Sequence, residues 1–150
     1  MNKVASIFFH LYQIIFCFDF YKNIKIKKFG FYVVKNSKLI NVNGTMNIND
    51  YVYINGKGGI DFGNNVILSA GAKIISTGLE IDDVGFKNKH INKKIVIGDN
   101  VQIGAGAIIL AGVNICDNVI IGAGSVVTKN VVEAGVYVGS PIRCIKRFDI

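Results

Sequence analysis

The chain has 150 residues, a length for one domain. Hydrophobic residues make up 51% of it, with 17 glycines and a single proline, which excludes disorder and favours a repetitive all-β core. The formal net charge of +7 permits an anionic partner, but no zinc-finger spacing, helical basic face or aromatic RNA-binding motif accompanies it, so nucleic acid is set aside.

Residues Val4 to Phe18 are apolar and aromatic, interrupted by His10 and Gln13. At about fifteen residues this run is too short to cross a bilayer comfortably. Cys17-Phe18-Asp19-Phe20 supplies no small-residue cleavage site of the kind a signal peptide needs. The expectation is a short N-terminal helix, with His10 as one of its residues, that packs on the domain or on a neighbouring subunit. The basic run Lys22, Lys25, Lys27 and Lys28 adds a second reading, peripheral contact of residues 4–28 with a membrane surface. Cys17, Cys116 and Cys144 form no CxxC pair, which argues against a zinc ribbon or redox motif. Free thiols suit the reducing cytoplasm, the expected location, with the inner face of the membrane as the peripheral alternative.

Residues 1–38 are read as this helix and an extended connecting segment, and residues 39–150 as the main domain. Loose hexads open the latter: Val42-Asn-Gly-Thr-Met-Asn, Ile48-Asn-Asp-Tyr-Val-Tyr and Ile54-Asn-Gly-Lys-Gly-Gly. The register slips by two residues at Ile60-Asp61, read as a bulge or a widened corner, and resumes at Phe62, Leu68 and Ile74. From about Leu79 to Lys94 there is no six-residue period and many charges, so this stretch is an excursion loop. Six hexads then run from Ile97 to Val132, opening on Ile97, Ile103, Ile109, Ile115, Ile121 and Val127. No helix has this period, and a simple strand has period two. Short strands separated by corners satisfy it, as in a parallel β-helix. Pro141 marks a bend at the end of the coils, and a basic tail, residues 139–150, follows Val138.

Three hexads close one triangular turn, so residues eighteen apart stack. Ile103 then lies over Ile121, and the corner Gly104-Ala105-Gly106 stacks with Gly122-Ala123-Gly124. Two successive turns present almost no side chain along that edge, leaving backbone N–H and C=O groups open to an elongated ligand with its own amides. Other corners use Asp99-Asn100 and Asp117-Asn118 instead.

The hexads, the wording IGAGAIILAGV…IGAGSVVTKN and the tail Gly139-Ser140-Pro141-Ile142-Arg143 resemble hexapeptide-repeat acyltransferases, nearest to the maltose, galactoside and surface-polysaccharide O-acetyltransferases. The resemblance covers Ile95–Lys146 closely and Val42–Gly78 loosely. It implies a left-handed β-helix, a homotrimer with sites between subunits, and acetyl-CoA as donor. By motif, Gly104, Ala105 and Ala123 would lie along the pantetheine arm, Thr128 and Lys129 near the nucleotide end, and Arg143 and Lys146 on its phosphates. No metal is implied, since a γ-type carbonic anhydrase needs three histidine ligands and the chain has two histidines. Outward Thr-x-Thr ladders of an ice-binding β-helix are absent as well.

A hydroxyl acceptor needs a base to attack a thioester, and a histidine near neutral pH suits that task. In the sugar acetyltransferases the catalytic histidine follows a Thr-Gly pair; here Thr77-Gly78 is followed by Leu79. The base expected instead is His90 in the excursion loop, with Glu80, Asp82 or Asp83 available to orient it or hold the acceptor. The expected function is acetyl transfer from acetyl-CoA to a hydroxyl of a sugar or surface-polysaccharide precursor. The alternatives are an amino-sugar N-acetyltransferase, for which a base matters less, and a β-helix that has lost its chemistry and serves in assembly.

Overall fold

The computed structural model describes residues 31–150 together with Val4, Ile7, Phe8 and Leu11. Those four are helical and exposed. The rest of the expected N-terminal helix, with His10, Cys17 and the lysines of the basic run, lies outside the described residues.

The chain winds as a left-handed parallel β-helix of five coils whose strands stack into three faces. The first coil holds β1 (Val33–Lys35), β2 (Ile40–Val42) and β3 (Met46–Ile48), and the second β4 (Tyr53–Asn55), β5 (Ile60–Phe62) and β6 (Val66–Leu68). The third begins with β7 (Lys73–Ile75), departs into the hairpin β8 (Thr77–Asp82) and β9 (Gly85–Asn92), and returns as β10 (Ile95–Ile97) and β11 (Gln102–Ile103). The fourth holds β12 (Ile108–Ile109), β13 (Asn114–Ile115) and β14 (Val119–Ile121). The last holds β15 (Val126–Val127) and β16 (Gly135–Val138), and β17 (Arg143–Arg147) folds back antiparallel on β16. Face 1 is β1-β4-β7-β12-β15, face 2 is β2-β5-β10-β13, and face 3 is β3-β6-β11-β14-β16-β17.

The hexad rule works because each face is a short strand whose alternate residues point inward. Ile54, Ile74, Ile109 and Val127 stack inside face 1, Ile60, Ile95 and Phe62, Ile97 inside face 2, and Leu68, Ile103 and Ile121 inside face 3, all buried. Each such side chain contributes roughly 1.5–3 kcal/mol of burial. The two buried polar side chains among the core residues are satisfied. Ser76 Oγ donates to Asn55 O (2.7 Å) and accepts from Gly58 N (2.8 Å), while Ser125 Oγ accepts from Gly139 N (3.0 Å).

Three registers differ from the hexad reading. Val33–Lys35, taken as connecting segment, already pairs with β4, so the first coil starts before residue 39. The slip placed at Ile60-Asp61 is a widened corner just before it, at 55–59, and the 3-10 turn Ser37–Leu39 widens the same corner one coil earlier. Tyr53 accordingly follows its partner Val33 by twenty residues, whereas Val126 follows Ile108 by eighteen. The sixth hexad does not close: Val131 bridges to Ile115, not to Val113, because the last coil is two residues shorter after Val127. There the Asn130 side-chain carbonyl accepts from Asn114 N (2.9 Å), giving that strand end a partner.

All the lengthening falls on one corner, between faces 1 and 2. It adds two residues in each of the first two coils and the whole hairpin in the third, where Ile108 follows its partner Lys73 by thirty-five residues. The corner between faces 2 and 3 is a ladder instead. Asn65, Asn100 and Asn118 take left-handed backbone (φ 57, 55 and 57°) and their side-chain amides bond in series at 3.0 and 3.2 Å. Beside them, Asn64 N donates to Asp99 Oδ1 and Asp99 N to Asp117 Oδ1, each at 2.7 Å.

Candidate functional site

The excursion expected at about 79–94 is a regular antiparallel hairpin rising from the corner between faces 1 and 2. Its turn is closed by Asp82 Oδ1, which accepts from Val84 N (3.0 Å) and Gly85 N (3.2 Å). At its base, Lys93 N donates to Ser76 O (3.0 Å), pinching the two strands together where they leave the coil. The strands give the hairpin two unlike faces. One carries the ion pairs Lys89–Glu80 (3.1 Å) and Lys87–Asp82 (2.9 Å). The other carries Leu79 and Ile81, 48% and 75% exposed, and His90, which stands directly opposite Leu79. Residues facing each other across a ladder have neighbouring side chains. His90 is exposed, and its side chain makes no hydrogen bond or ion pair among the described residues. Glu80 and Asp82, candidates to orient it, are held by lysines on the opposite side.

The Ala–Gly column lies on a different edge, between faces 3 and 1. Stacking follows the eighteen-residue rule: Ile103 pairs with Ile121, Gly104 N donates to Ile121 O (2.8 Å) and Gly124 N to Ala105 O (2.8 Å). The glycines of this column serve two separate purposes. Gly104 is buried, and a methyl group on it would fall 2.6 Å from Ala123 N and Ile121 O, so its bareness lets the next coil stack. Gly106 and Gly124 are exposed, left-handed (φ 65° each), and would point a methyl into open space. The corner between faces 2 and 3 fills its left-handed position with Asn, so backbone conformation alone does not demand glycine here. Ala105 and Ala123 are exposed, and their N–H groups, with the Ala123 carbonyl, have no partner among the described residues. A ligand on this edge therefore meets Ala105, Gly106, Ala123 and Gly124, while Gly104 lies beneath. Gly106 and Gly124 belong to the two corners read from the sequence as a bare edge, on the same contrast with Asn100 and Asn118.

At the C-terminal end of the rod a recess of about 390 Å³ opens between 129–133 and β17. Ile142, 4% exposed, plugs the end of the core, and Val131, Tyr137 and Cys144 line the walls. Lys129, Arg143 and Arg147 face it against one carboxylate, Glu133, which pairs with Arg147 at 2.8 Å. Tyr137 donates its hydroxyl to Glu133 O (2.8 Å), and burial first, then Cys144 and Glu133, pushes its pKa up. Such a recess suits phosphate oxygens. Of the expected nucleotide-end residues, the structure gathers Lys129 and Arg143 here and adds Arg147. Lys146 pairs with Val136 and does not line the recess, nor does Thr128 beside Lys129. Arg143 pairs with Val138, whose side chain covers Gly122, so it also stands at the end of the Ala–Gly edge.

The single chain thus sets His90 and the Ala–Gly column on different edges of a triangular rod.

Residues 94–129 match the family described as bacterial transferase hexapeptide, six repeats. A provisionally named acetyltransferase of Dictyostelium discoideum is 42% identical over 92 residues, 61% of this chain and 48% of that protein, so the chain spans about half the length of that relative. Among solved structures, a maltose O-acetyltransferase from Clostridium difficile 630 superimposes with a TM-score of 0.72 at 33% identity, over 86% of this chain and 68% of the other. A hexapeptide-repeat acetyltransferase from Vibrio cholerae, complexed with acetyl coenzyme A, has the same fold (TM-score 0.70, 23% identity, 85% and 72% covered). So does an N-acyltransferase from Bacillus cereus in complex with dTDP-4-amino-4,6-dideoxyglucose and coenzyme A (TM-score 0.67, 22% identity, 93% and 90% covered). With five stacked coils, a repeat-family match inside them and a one-third-identical maltose O-acetyltransferase along most of their length, the chain belongs to the hexapeptide-repeat acyltransferase family.

Proposed function

We propose that this chain transfers acetyl from acetyl-CoA to a hydroxyl of a sugar or surface-polysaccharide precursor. The observation that carries the reading is the Ala–Gly edge, where the unpartnered N–H groups of Ala105 and Ala123 and the Ala123 carbonyl border open space over Gly106 and Gly124. An amide-bearing pantetheine arm fits that edge, and the Lys129, Arg143 and Arg147 recess at its end fits the phosphates. The maltose O-acetyltransferase likeness supports a sugar acceptor.

His90 acts as general base. Its place opposite Leu79 is the cross-strand neighbour of the position where the sugar acetyltransferases carry their histidine, so the imidazole reaches the same side of the hairpin from the other strand. It takes the acceptor hydroxyl proton as the oxygen attacks the thioester carbonyl; the C–S bond breaks, and the proton passes to the departing thiolate. A backbone N–H on the Ala–Gly edge stabilises the oxyanion. Because His90 and that edge are apart in one chain, a neighbouring copy completes each site, as in a homotrimer. No helix among the described residues is long and apolar enough to cross a membrane; we place the enzyme in the cytoplasm, with exposed Ile7, Phe8 and Leu11 touching the membrane's inner face.

The test is acetyl-CoA-dependent turnover on maltose and on an amino sugar. His90→Ala should lower turnover on maltose by about a hundredfold or more, and Arg143→Ala should mainly raise the KM for acetyl-CoA. Near-normal maltose turnover by His90→Ala would overturn the mechanism. Leu79 in the usual histidine position favours a second reading, an amine acceptor. Turnover on the amino sugar alone, insensitive to His90→Ala, would select it.

A further inference from the structure

We infer that the edge between faces 1 and 2, from which the hairpin rises, is a docking surface for an acidic glycan, and that this glycan is the acceptor. The second half of the inference rests on the acyl-transfer reading above; the first does not.

Residues 31–150 carry 12 lysines and arginines against 9 acidic residues, and these charges are not spread evenly over the rod. Corner residues between faces 1 and 2 supply a cation in four of the five coils: Lys38, Lys57, Lys93 and Lys129, all exposed. None is in an ion pair among the described residues, whereas Lys87, Lys89, Lys94 and Arg147 each hold a carboxylate. Successive coils lie about 4.8 Å apart, so the four lysines span roughly 19 Å. The backbone is bare where they need room. Gly112 lies under the Lys93 stem, where a methyl group would sit 3.2 Å from Cδ. Asp99, Asp117 and Glu133 lie on another edge, between faces 2 and 3; of the hairpin's acids, Glu80 and Asp82 are held by Lys89 and Lys87, and Asp83 sits in the hairpin turn.

The column shares Lys129 with the donor's phosphate recess but runs well beyond it. That recess sits at the last coil, and Lys38 and Lys57 lie in the first two. A partner that fits them is long, anionic and rich in hydrogen-bonding groups, since the corners carry the Ser37 and Thr128 hydroxyls and the amide groups of Asn36, Asn55 and Asn130 that the bonds from Asn36 to Asn55 and from Asn114 to Asn130 leave open. The corners carry no aromatic residue on which a nucleobase could stack, which is how single-stranded nucleic acid is held. Sugar hydroxyls meet the amides, and carboxylates or phosphates of the same chain meet the ammonium groups. A glycan seated along this edge runs past the base of the hairpin that carries His90.

Calorimetric titration of the intact chain with a polygalacturonate oligosaccharide, and with a maltooligosaccharide of equal length, tests this. At 50 mM salt the acidic chain should bind at least tenfold more tightly, and its affinity should fall several-fold at 200 mM salt. Lys38→Glu/Lys57→Glu should lose at least tenfold in polygalacturonate affinity with unchanged acetyl-CoA affinity. Lys38→Gln/Lys57→Gln should lose less, at an unchanged melting temperature. Equal affinity for the two glycans, or wild-type affinity in the charge-reversed variant, overturns the inference. So does a single-stranded oligonucleotide that displaces polygalacturonate at equal concentration. Acetyl transfer to maltooligosaccharide without polygalacturonate binding overturns the surface and leaves the activity. Polygalacturonate binding with no transfer to any acceptor upholds the surface and overturns the activity.

Discussion

The two kinds of glycine on the Ala–Gly edge can be told apart by one substitution of each. In Gly104→Ala the new methyl would sit 2.6 Å from Ala123 N and Ile121 O, where ordinary contact begins at 3.4 Å, so the coils must part by about 0.8 Å. Overpacking of that kind costs about 1–3 kcal/mol, and weakening the Gly104 N to Ile121 O bond (2.8 Å) adds about 1 kcal/mol. A total near 3 kcal/mol lowers the melting temperature of a chain this size by roughly 6–12 °C. Gly124→Asn installs the residue that Asn100 and Asn118 already use at nearly the same φ, and nothing lies within 4 Å of its Cβ. Its folding cost should stay within about 0.5 kcal/mol, since the added side chain also restricts the unfolded chain. The side chain then occupies the space beside Ala123 N and displaces a ligand amide from it. Leaving such a group unpaired costs about 1–3 kcal/mol, a loss of roughly fivefold to a hundredfold in acetyl-CoA affinity. Thermal melts and isothermal calorimetry on the two variants measure both numbers. Wild-type affinity in Gly124→Asn would refute the groove, and a wild-type melt of Gly104→Ala would refute the stacking.

Two further outcomes follow from charge and exposure. Burial raises the Asp61 carboxyl pKa, but hydrogen bonds from Lys94 (2.5 Å) and Asn41 (2.8 Å) and the Lys94 charge outweigh it and hold it below the ordinary 3.8. The stability this adds is full above the unfolded value and is lost as pH falls through the lower folded one. The difference in stability between wild type and Asp61→Asn, about 1 kcal/mol at most, should be constant from about pH 7 to 5 and shrink below about pH 4; a gap unchanged at about pH 2.5 would sink the assignment. The exposed stripe Val4, Ile7, Phe8 and Leu11 should carry the protein down with phosphatidylglycerol vesicles, and Phe8→Glu/Leu11→Glu should leave it in the supernatant. Wild type remaining in solution would remove the membrane contact.

The repeating part of the fold was legible because its cause is local. Ile97, Ile103, Ile109, Ile115 and Ile121 each end the strand of a face, and every one is buried. Corner widths were harder to read. Asn55-Gly-Lys-Gly-Gly gives no sign of how many of its residues belong to the turn, and Thr128-Lys129-Asn130 reads as an ordinary corner until Asn130 is seen replacing a backbone acceptor. The excursion was found by its lack of period, but its pairing register was not. That register is what sets His90 against Leu79, and it depends on an irregularity between Leu79 and Glu80 that no composition signals. The Ala–Gly groove followed from the eighteen-residue stacking rule. The lysine column did not, because Lys38, Lys57 and Lys93 are separated by nineteen and thirty-six residues and line up only after the widened corners and the hairpin are taken out.

The corner between faces 1 and 2 has absorbed two residues, two more, and then an entire hairpin, while the strands on either side keep their partners. Ser76 and Lys93 close the hairpin off at its root, so the coils above and below are indifferent to what lies between them. That makes residues 77–92 a cartridge. A hairpin of another length or chemistry could be exchanged there, and the acceptor could change with it, while the rod and its donor groove stayed as they are.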